Sequence, residues 1–413
     1  METRGNEPLN EEAEVQESTD DDEEGSGMQA PEQGVITTRS GRVVTLPSRY
    51  AAVTKVSRSK WEQESADTAI KGELRQLFLE LVALIPLKWH QIPKTATILR
   101  SHMFLVNKYL ANGEFDKVKA RLVADGRDQD QEMYPDKSSL TVAIHSVFTV
   151  LRLACQKRWR IVVKIDLKGA FVQTPMTGHE IFMRLDPKIT KYAKEMCPEF
   201  DEFIWRDGCL YTILRKAMYG CIQASALWYA YIRREIERMG YTASETDKCV
   251  FVKQVGDRVF ILMLYVDDIM AIVDEEEARK LKSRLEKLFG VVQFEVGDKM
   301  SYLGMNITIS NQGTTIDMTF YTKQLLEGEL VDEFGSPGTK SMFIIKSSKA
   351  LPEDERKWFH SKTAKLLYLA KRARPDILTA VIFLFTRVQE ATEEDREKMR
   401  RVLGYLKHTL NPS

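Results

Sequence analysis

The sequence predicts an α+β fold, with strands and helices arriving in runs. Three observations carry this. Paired β-forming stretches stand together at Val259–Val273 and again at Tyr302–Met318, without the strict strand–helix alternation of a doubly wound sheet. From Glu353 onward the apolar residues recur at helical spacing. And 413 residues, 43% of them hydrophobic, exceed what one small module needs and provide for two to four lobes around a real core.

Taken in order, residues 1–60 read as disordered, because the run Asp20–Glu24 repels itself and the segment has little to bury. A basic stretch, Arg39–Lys60, closes it, and order is expected from Trp61. Ile70, Leu74, Leu77, Phe78 and Leu81 repeat at helical spacing over 67–85, with Pro86 as the stop. Phe104–Tyr109 and Lys117–Ala124 alternate as two strands joined through Ala111-Asn112-Gly113. In the second strand Lys117, Lys119 and Arg121 share one face, and Val118, Ala120 and Leu122 the other. Residues 139–158 predict a helix, with Val142, Ile144, Val147, Phe148 and Leu151 inward and Lys157-Arg158 at its C-terminus.

Ile161–Ile165 is a β-branched strand that delivers Asp166 at its end. Short strands are expected at Ile181–Arg184 and Cys209–Leu214, around an irregular insertion containing Pro187 and Pro198. Gln223–Met239 reads as a helix stopped by Gly240. Val259–Tyr265 and Ile269–Val273 are apolar throughout and form a buried hairpin with its turn at Val266-Asp267-Asp268. Glu275–Phe289 is a helix, acidic at its start and basic later, as the helix dipole favours. Tyr302–Ile309 and Thr314–Met318 make a second hairpin. Beyond Glu353 one helix ends before Pro375, another starts with it, and a third is capped by Thr392 with Asp395 in capping-box position.

Charge and cysteine usage narrow the function. The balance of 60 cations and 60 acids hides a polar split: residues 1–34 hold twelve acids and one Arg, so the body is basic. Five cysteines, an odd number with no C-x-x-C pair, argue against a disulfide framework or a structural zinc site and for a reducing, intracellular compartment. No opening apolar run marks a secretory signal. The longest apolar stretch, Val259–Val273, is short for a membrane span and carries Asp267 and Asp268 in its middle, so no membrane association is expected.

Those two acids are the informative feature. Adjacent carboxylates at the edge of a buried sheet repel and favour the neutral acid unless a cation holds them ionised. Mg²⁺ or Mn²⁺ suits such oxygen ligands. If the strand ending in Asp166 lies beside the hairpin, Asp166 and Asp267 meet at one end of the sheet. Such a cluster can hold two ions about 3.5–4 Å apart for phosphoryl transfer. Acids at strand ends also build Mg²⁺ phosphatase and receiver pockets, so spacing alone leaves both open.

The motifs go further. Tyr265-Val266-Asp267-Asp268 within LMLYVDDIM resembles the Y-x-D-D signature of reverse transcriptases, and the segment resembles the copia-type LTR-retrotransposon branch. KVKARLVADGRDQD (117–130), IVVKIDLKGAFVQ (161–173), LRKAMYGCIQASALWY (214–229), SYLGMNI (301–307), KLLYLAKRARPDILTAV (365–381) and RVLGYLKHT (401–409) are similar to that family's segments in the family's order, over about residues 88–409. The resemblance implies a right-hand polymerase: fingers-like 61–150, palm 151–310 with an antiparallel sheet, helices on one face and a fingers insertion at 176–218, and thumb or connection helices at 311–413, with no ribonuclease H domain. It implies Asp166, Asp267 and Asp268 as catalytic and metal-binding acids for two Mg²⁺ or Mn²⁺ ions. Lys119 and Arg121 match residues that grip a triphosphate, Phe171 the residue that excludes a 2′-hydroxyl, and Gln223 and Tyr265 residues near the incoming nucleotide. Each also has a plainer reading: a solvated strand face, a core Phe, a helix-start Gln. Ile222, Ser225 and Gly169 depart from the family's usual Lys, Pro and Thr. The implied partners are an RNA or DNA template with its primer and dNTPs, in a cytoplasmic or nuclear setting that includes dimers or virus-like particles. The expected function is RNA-directed DNA polymerisation. The alternatives are a catalytically inactive retrotransposon relic that only binds nucleic acid or a protein partner, and an unrelated Mg²⁺ phosphohydrolase.

Overall fold

The computed structural model describes residues 61, 63–109, 115–134, 139–156 and 160–410, with the short strands Val35–Thr37, Val43–Thr45 and Thr54–Lys55. These strands correct part of the disorder expected for residues 1–60. VIT and VVT are β-branched runs that pair antiparallel within the unit Met1–Leu46. The rest of that segment, the Ala111–Gly113 turn and Lys157-Arg158 lie outside the described residues.

Pro47–Ser413 is one compact unit containing two large cores. The first surrounds a six-stranded, wholly antiparallel sheet. Its strands run in the order Thr242–Ala243, Val250–Val255, Arg258–Tyr265, Asp268–Val273, Ile161–Asp166 and Gln293–Val296. The hairpin expected from its apolar arms is there, and the strand ending in Asp166 lies directly beside it. Leu262, Met263, Ile269 and Met270 are fully buried, which is why neither arm shows polar alternation. Trp228 and Ile232 of the helix Ala224–Arg238, and Leu281 and Leu285 of the helix Glu275–Phe289, pack in the same core. So does the helix Ile144–Cys155, which starts later than expected and straddles the boundary drawn at residue 150.

The second core lies under a sheet of Ile98–Tyr109, Phe182–Leu185, Leu210–Leu214 and Leu84–Leu87, with Phe115–Ala124 paired to Ile98–Tyr109. Along Phe115–Ala124, Lys117, Lys119 and Arg121 are exposed while Ala120, Leu122 and Ala124 are buried, as the alternation predicts. Two expectations fail here. Pro86 does not stop the first helix. That helix runs Glu64–Arg75 with a π turn at Gln76–Glu80, and Pro86 sits inside Leu84–Leu87. This is the terminal strand of its sheet, where a missing N–H costs no ladder bond on the open side. The insertion around Pro187 is not irregular either. Asp186 accepts from the Ile189 N–H and Pro187 takes the first helical position, so Pro187–Met196 is a well-started helix.

Tyr302–Ile309 is likewise not one strand. A turn at Leu303-Gly304, both at positive φ, divides it into Lys299–Tyr302 and Met305–Ile309, which with Thr314–Asp317 make a three-stranded sheet. The C-terminal helices Glu353–Arg372, Leu378–Thr386 and Glu393–His408 follow the expected plan, including the Thr392/Asp395 capping box.

Within the second core the loop before the helix Ala224–Arg238 is fastened to the basic strand. The Tyr219 carbonyl accepts from the Ala124 N–H at 2.8 Å, and Gly220 approaches so closely that a Cβ would lie 2.0 Å from the Ala124 oxygen. Gly220 also has φ +86°. Gly220→Ala therefore meets both a backbone clash and left-handed strain, and should lower stability by about 2–4 kcal/mol in denaturant melts. Gly178→Ala, at φ +88° with open space around it, should cost only about 1 kcal/mol.

Candidate active site

Register places the acids. Asp166 stands directly opposite Asp268, and Asp268 directly opposite Tyr265. Gln293 faces Asp166 from the other side. Directly opposed residues of an antiparallel sheet project from one face, so Tyr265, Asp268, Asp166 and Gln293 form a single row across four strands. The hairpin turn is two residues, Val266 and Asp267, one shorter than the expected three.

That turn is strained and held. Val266 has φ +53°, a conformation usually left to Gly and costly for a β-branched side chain, of order 1–3 kcal/mol. Its carbonyl accepts from the buried Trp228 indole N–H at 2.7 Å. The Asp267 carbonyl accepts from the Leu167 N–H at 3.0 Å, which ties the tip to the strand end just past Asp166. The Leu264 carbonyl accepts from the Val142 N–H at 3.1 Å.

The acids at this end of the sheet are only partly compensated. Protein crowds one side of Asp267 although its surface stays open, and this lost hydration lifts its carboxyl above the ordinary 3.8. Its own backbone N–H offsets that, Asp166 adds to it by repulsion, and Arg121 and Lys119 oppose it. Asp268 is raised too, first by burial, with Lys164 opposing and Asp267 and Asp166 reinforcing. Carboxylates in this condition have the chemistry a divalent cation relieves, and hard oxygen donors fit one. Among the described residues, no three His, Cys, Asp or Glu side chains are gathered tightly enough to hold a metal ion as they stand.

The other expected residues divide. Lys119 and Arg121 project from the basic strand, and their charge reaches Asp267. Phe171 is half-buried in the short helix Ala170–Gln173, entered through Gly169 at φ +66°, a backbone that accommodates Gly where the family's Thr would strain. Gln223 is turned inward. It is 5% exposed, its Oε1 accepts from Gln129 Nε2 at 2.9 Å, and its own Nε2 lies 3.6 Å from Met176 Sδ.

Several site neighbours escape sequence reasoning. Gln129 Oε1 also accepts from the Ile222 N–H at 2.9 Å, so one buried side chain holds the loop that carries Gln223. Glu73 Oε1 accepts from the Leu122 N–H at 3.0 Å beneath the basic strand, and burial raises its carboxyl while Arg121 and Lys119 oppose that. Tyr219 lies beneath the Arg121 guanidinium, 4.2 Å from its ring centre, with its ring 5.2 Å from that of Phe171 at 74°. Tyr219 and Gln129 had a local signal, lying inside the AMYGCIQ and KVKARLVADGRDQD runs; Glu73 is joined to the site by long-range contacts alone.

Residues 92–337 match the family model described as reverse transcriptase (RNA-dependent DNA polymerase). The chain is 28% identical over 326 residues to the retrovirus-related Pol polyprotein from transposon RE2 of Arabidopsis thaliana, an alignment covering 77% of this chain and 21% of that protein. It is 26% identical to the corresponding polyprotein from transposon TNT 1-94 of Nicotiana tabacum, covering 77% and 24%. Among solved structures, the foamy viral protease-reverse transcriptase in complex with double-stranded DNA aligns over 83% of this chain and 48% of its own, at 14% identity and a TM-score of 0.39. The chain thus spans 21% and 24% of the length of these two polyproteins. With the motif order, the antiparallel sheet ending in acids and the match over more than half its length, the chain belongs to the reverse transcriptase (RNA-dependent DNA polymerase) family, in its copia-type retrotransposon branch.

Proposed function

We propose that the protein is an RNA-directed DNA polymerase that transfers dNMP units to a primer 3′-hydroxyl. The observation that carries this reading is the register that sets Asp166 opposite Asp268 with Asp267 at the adjoining tip. Asp166, Asp267 and Asp268 are the residues that would hold two Mg²⁺ or Mn²⁺ ions, whose charge would activate the primer hydroxyl and screen the phosphates. Lys119 and Arg121 bind the triphosphate, a task fixed cations on a rigid strand suit. Phe171 occupies the place where a ribose 2′-hydroxyl would go. Tyr265, in the same cross-strand row as Asp268, lines the floor beside the nucleotide. The sheet carrying Lys119 serves as fingers, the six-stranded sheet as palm and the C-terminal helices as thumb or connection. The basic body holds a template–primer hybrid by its backbone and by its near A-form shape.

One observation favours a second reading. The Gln223 amide is buried against Gln129 and Met176, so it is not presented to a nucleotide. A relic that retains nucleic-acid binding without catalysis would tolerate that arrangement.

Primer extension on an RNA template with Mg²⁺ or Mn²⁺ separates the two. The polymerase reading expects dNTP incorporation, reduced at least about a hundredfold in Asp267→Asn. Salt-sensitive hybrid binding with no incorporation by the wild type would instead establish the relic. A second consequence concerns the metal-free protein. Asp267 and Asp268 are raised in the folded state, so the fold binds more protons than the unfolded chain above pH 3.8, and stability falls as pH rises through that window. In EDTA at pH 7, Asp267→Asn should therefore melt higher than wild type, with the difference shrinking as pH falls toward 3.8. An equal or lower melting temperature at pH 7 would mean that the fold does not raise the Asp267 carboxyl.

A further inference from the structure

We propose that Tyr219 is the positioning residue for sugar selection: its ring braces Phe171 edge-to-face and sets the angle of that barrier. The proposal rests on the polymerase reading and on Phe171 as the group that meets the sugar, and it adds a residue the motif resemblance did not assign.

The geometry is an aromatic relay from the basic strand through Tyr219 to Phe171. Arg121 stacks its guanidinium over one face of Tyr219, 4.2 Å from the ring centre. Tyr219 meets Phe171 edge-to-face, 5.2 Å between centres at 74°. That angle suits the ring quadrupoles, which disfavour rotation of either ring away from it. Phe171 itself is only partly buried, at the edge of the first core. It sits in a helix of four residues that starts from the left-handed Gly169, and it remains half-exposed.

Tyr219, by contrast, cannot drift. Its carbonyl is bonded to the Ala124 N–H, Gly220 is pressed against the Ala124 carbonyl, and Gln129 fastens the Ile222 N–H two residues further on. A ring on a fixed backbone therefore supports one that the core covers only in part. A steric barrier to a single hydroxyl works only if it resists displacement, because a side chain that rotates aside costs the larger substrate little. Because Arg121 also binds the triphosphate in the proposed function, occupancy of that site would press the same stack together.

The test is single-nucleotide incorporation on a template–primer hybrid, reading kcat/KM for a dNTP and for the matching rNTP. Tyr219→Phe keeps the ring and should preserve the dNTP/rNTP ratio within about twofold. Tyr219→Ala and Tyr219→Leu remove the flat brace and should lower the ratio by about tenfold, mostly through a gain in rNTP incorporation. A merely structural role would depress both substrates alike and leave the ratio unmoved, and melting curves of the two variants separate loss of folding from loss of selection. A wild-type ratio in Tyr219→Ala and Tyr219→Leu, with the ratio lost in Phe171→Ala, would overturn the proposal while sparing the polymerase reading. An unchanged ratio in Phe171→Ala would overturn the barrier itself and Tyr219 with it. Absence of incorporation by the wild type would overturn the underlying reading.

Discussion

Burial of carboxylates at the end of an apolar sheet, with their mutual repulsion added to it, is the constraint around which this molecule is arranged. Apart from Lys164, the strands Ile161–Asp166, Arg258–Tyr265 and Asp268–Val273 carry charge only at their ends. Antiparallel pairing then forces Asp166 and Asp268 opposite each other, and a one-residue slip would move either acid to the other face. The cost is visible in the raised Asp267 and Asp268 carboxyls and in the left-handed Val266. It is sustained because Trp228 and Leu167 hold the turn by its carbonyls, groups no side-chain change can remove. Such strain, kept in place by its surroundings, is typical of sites where chemistry needs a fixed geometry.

The positive charge that answers these acids comes mainly from elsewhere. Lys164 belongs to the same strand as Asp166, but Lys119 and Arg121 arrive from a different sheet with its own core. Their position depends on the seam where Ala124 meets Tyr219 and Gly220, and where Gln129 meets Ile222 and Gln223. Buried amide pairs and backbone-to-backbone packing have few alternative arrangements, so the seam behaves as a rigid joint. Glu73 beneath the basic strand keeps the cations from being a simple surplus. The acids thus stand at the end of one sheet and the cations on a strand of another, near enough for Arg121 and Lys119 to act on Asp267.

Where local pattern and tertiary need agreed, the fold was legible. Leu262–Leu264 and Ile269–Val273 read as buried because they are, and Lys117, Lys119 and Arg121 read as one face because Ala120 and Leu122 are the other. Thr392 with Asp395 announced a helix start from four residues. Pro misled twice for one reason: its effect depends on position. Pro86 stands on a sheet edge and Pro187 at a first helical turn, and neither circumstance can be read from neighbouring residues alone. Gly304 divided what alternation presented as one strand, since a tight turn at left-handed φ leaves the flanking periodicity intact.

The amino-acid order alone determined which residues carry charge at the ends of apolar strands, and the ordered motifs tied them to a polymerase family. Those are properties of short segments, whose physics is local. Only the tertiary structure decided which segments became neighbours: that Asp166 stands opposite Asp268, that Gln223 turns inward to Gln129, and that Tyr219 lies between Arg121 and Phe171. Contacts between residues 93 or 94 positions apart leave no periodic trace, because they are selected by packing of whole elements rather than by any turn or spacing of their own.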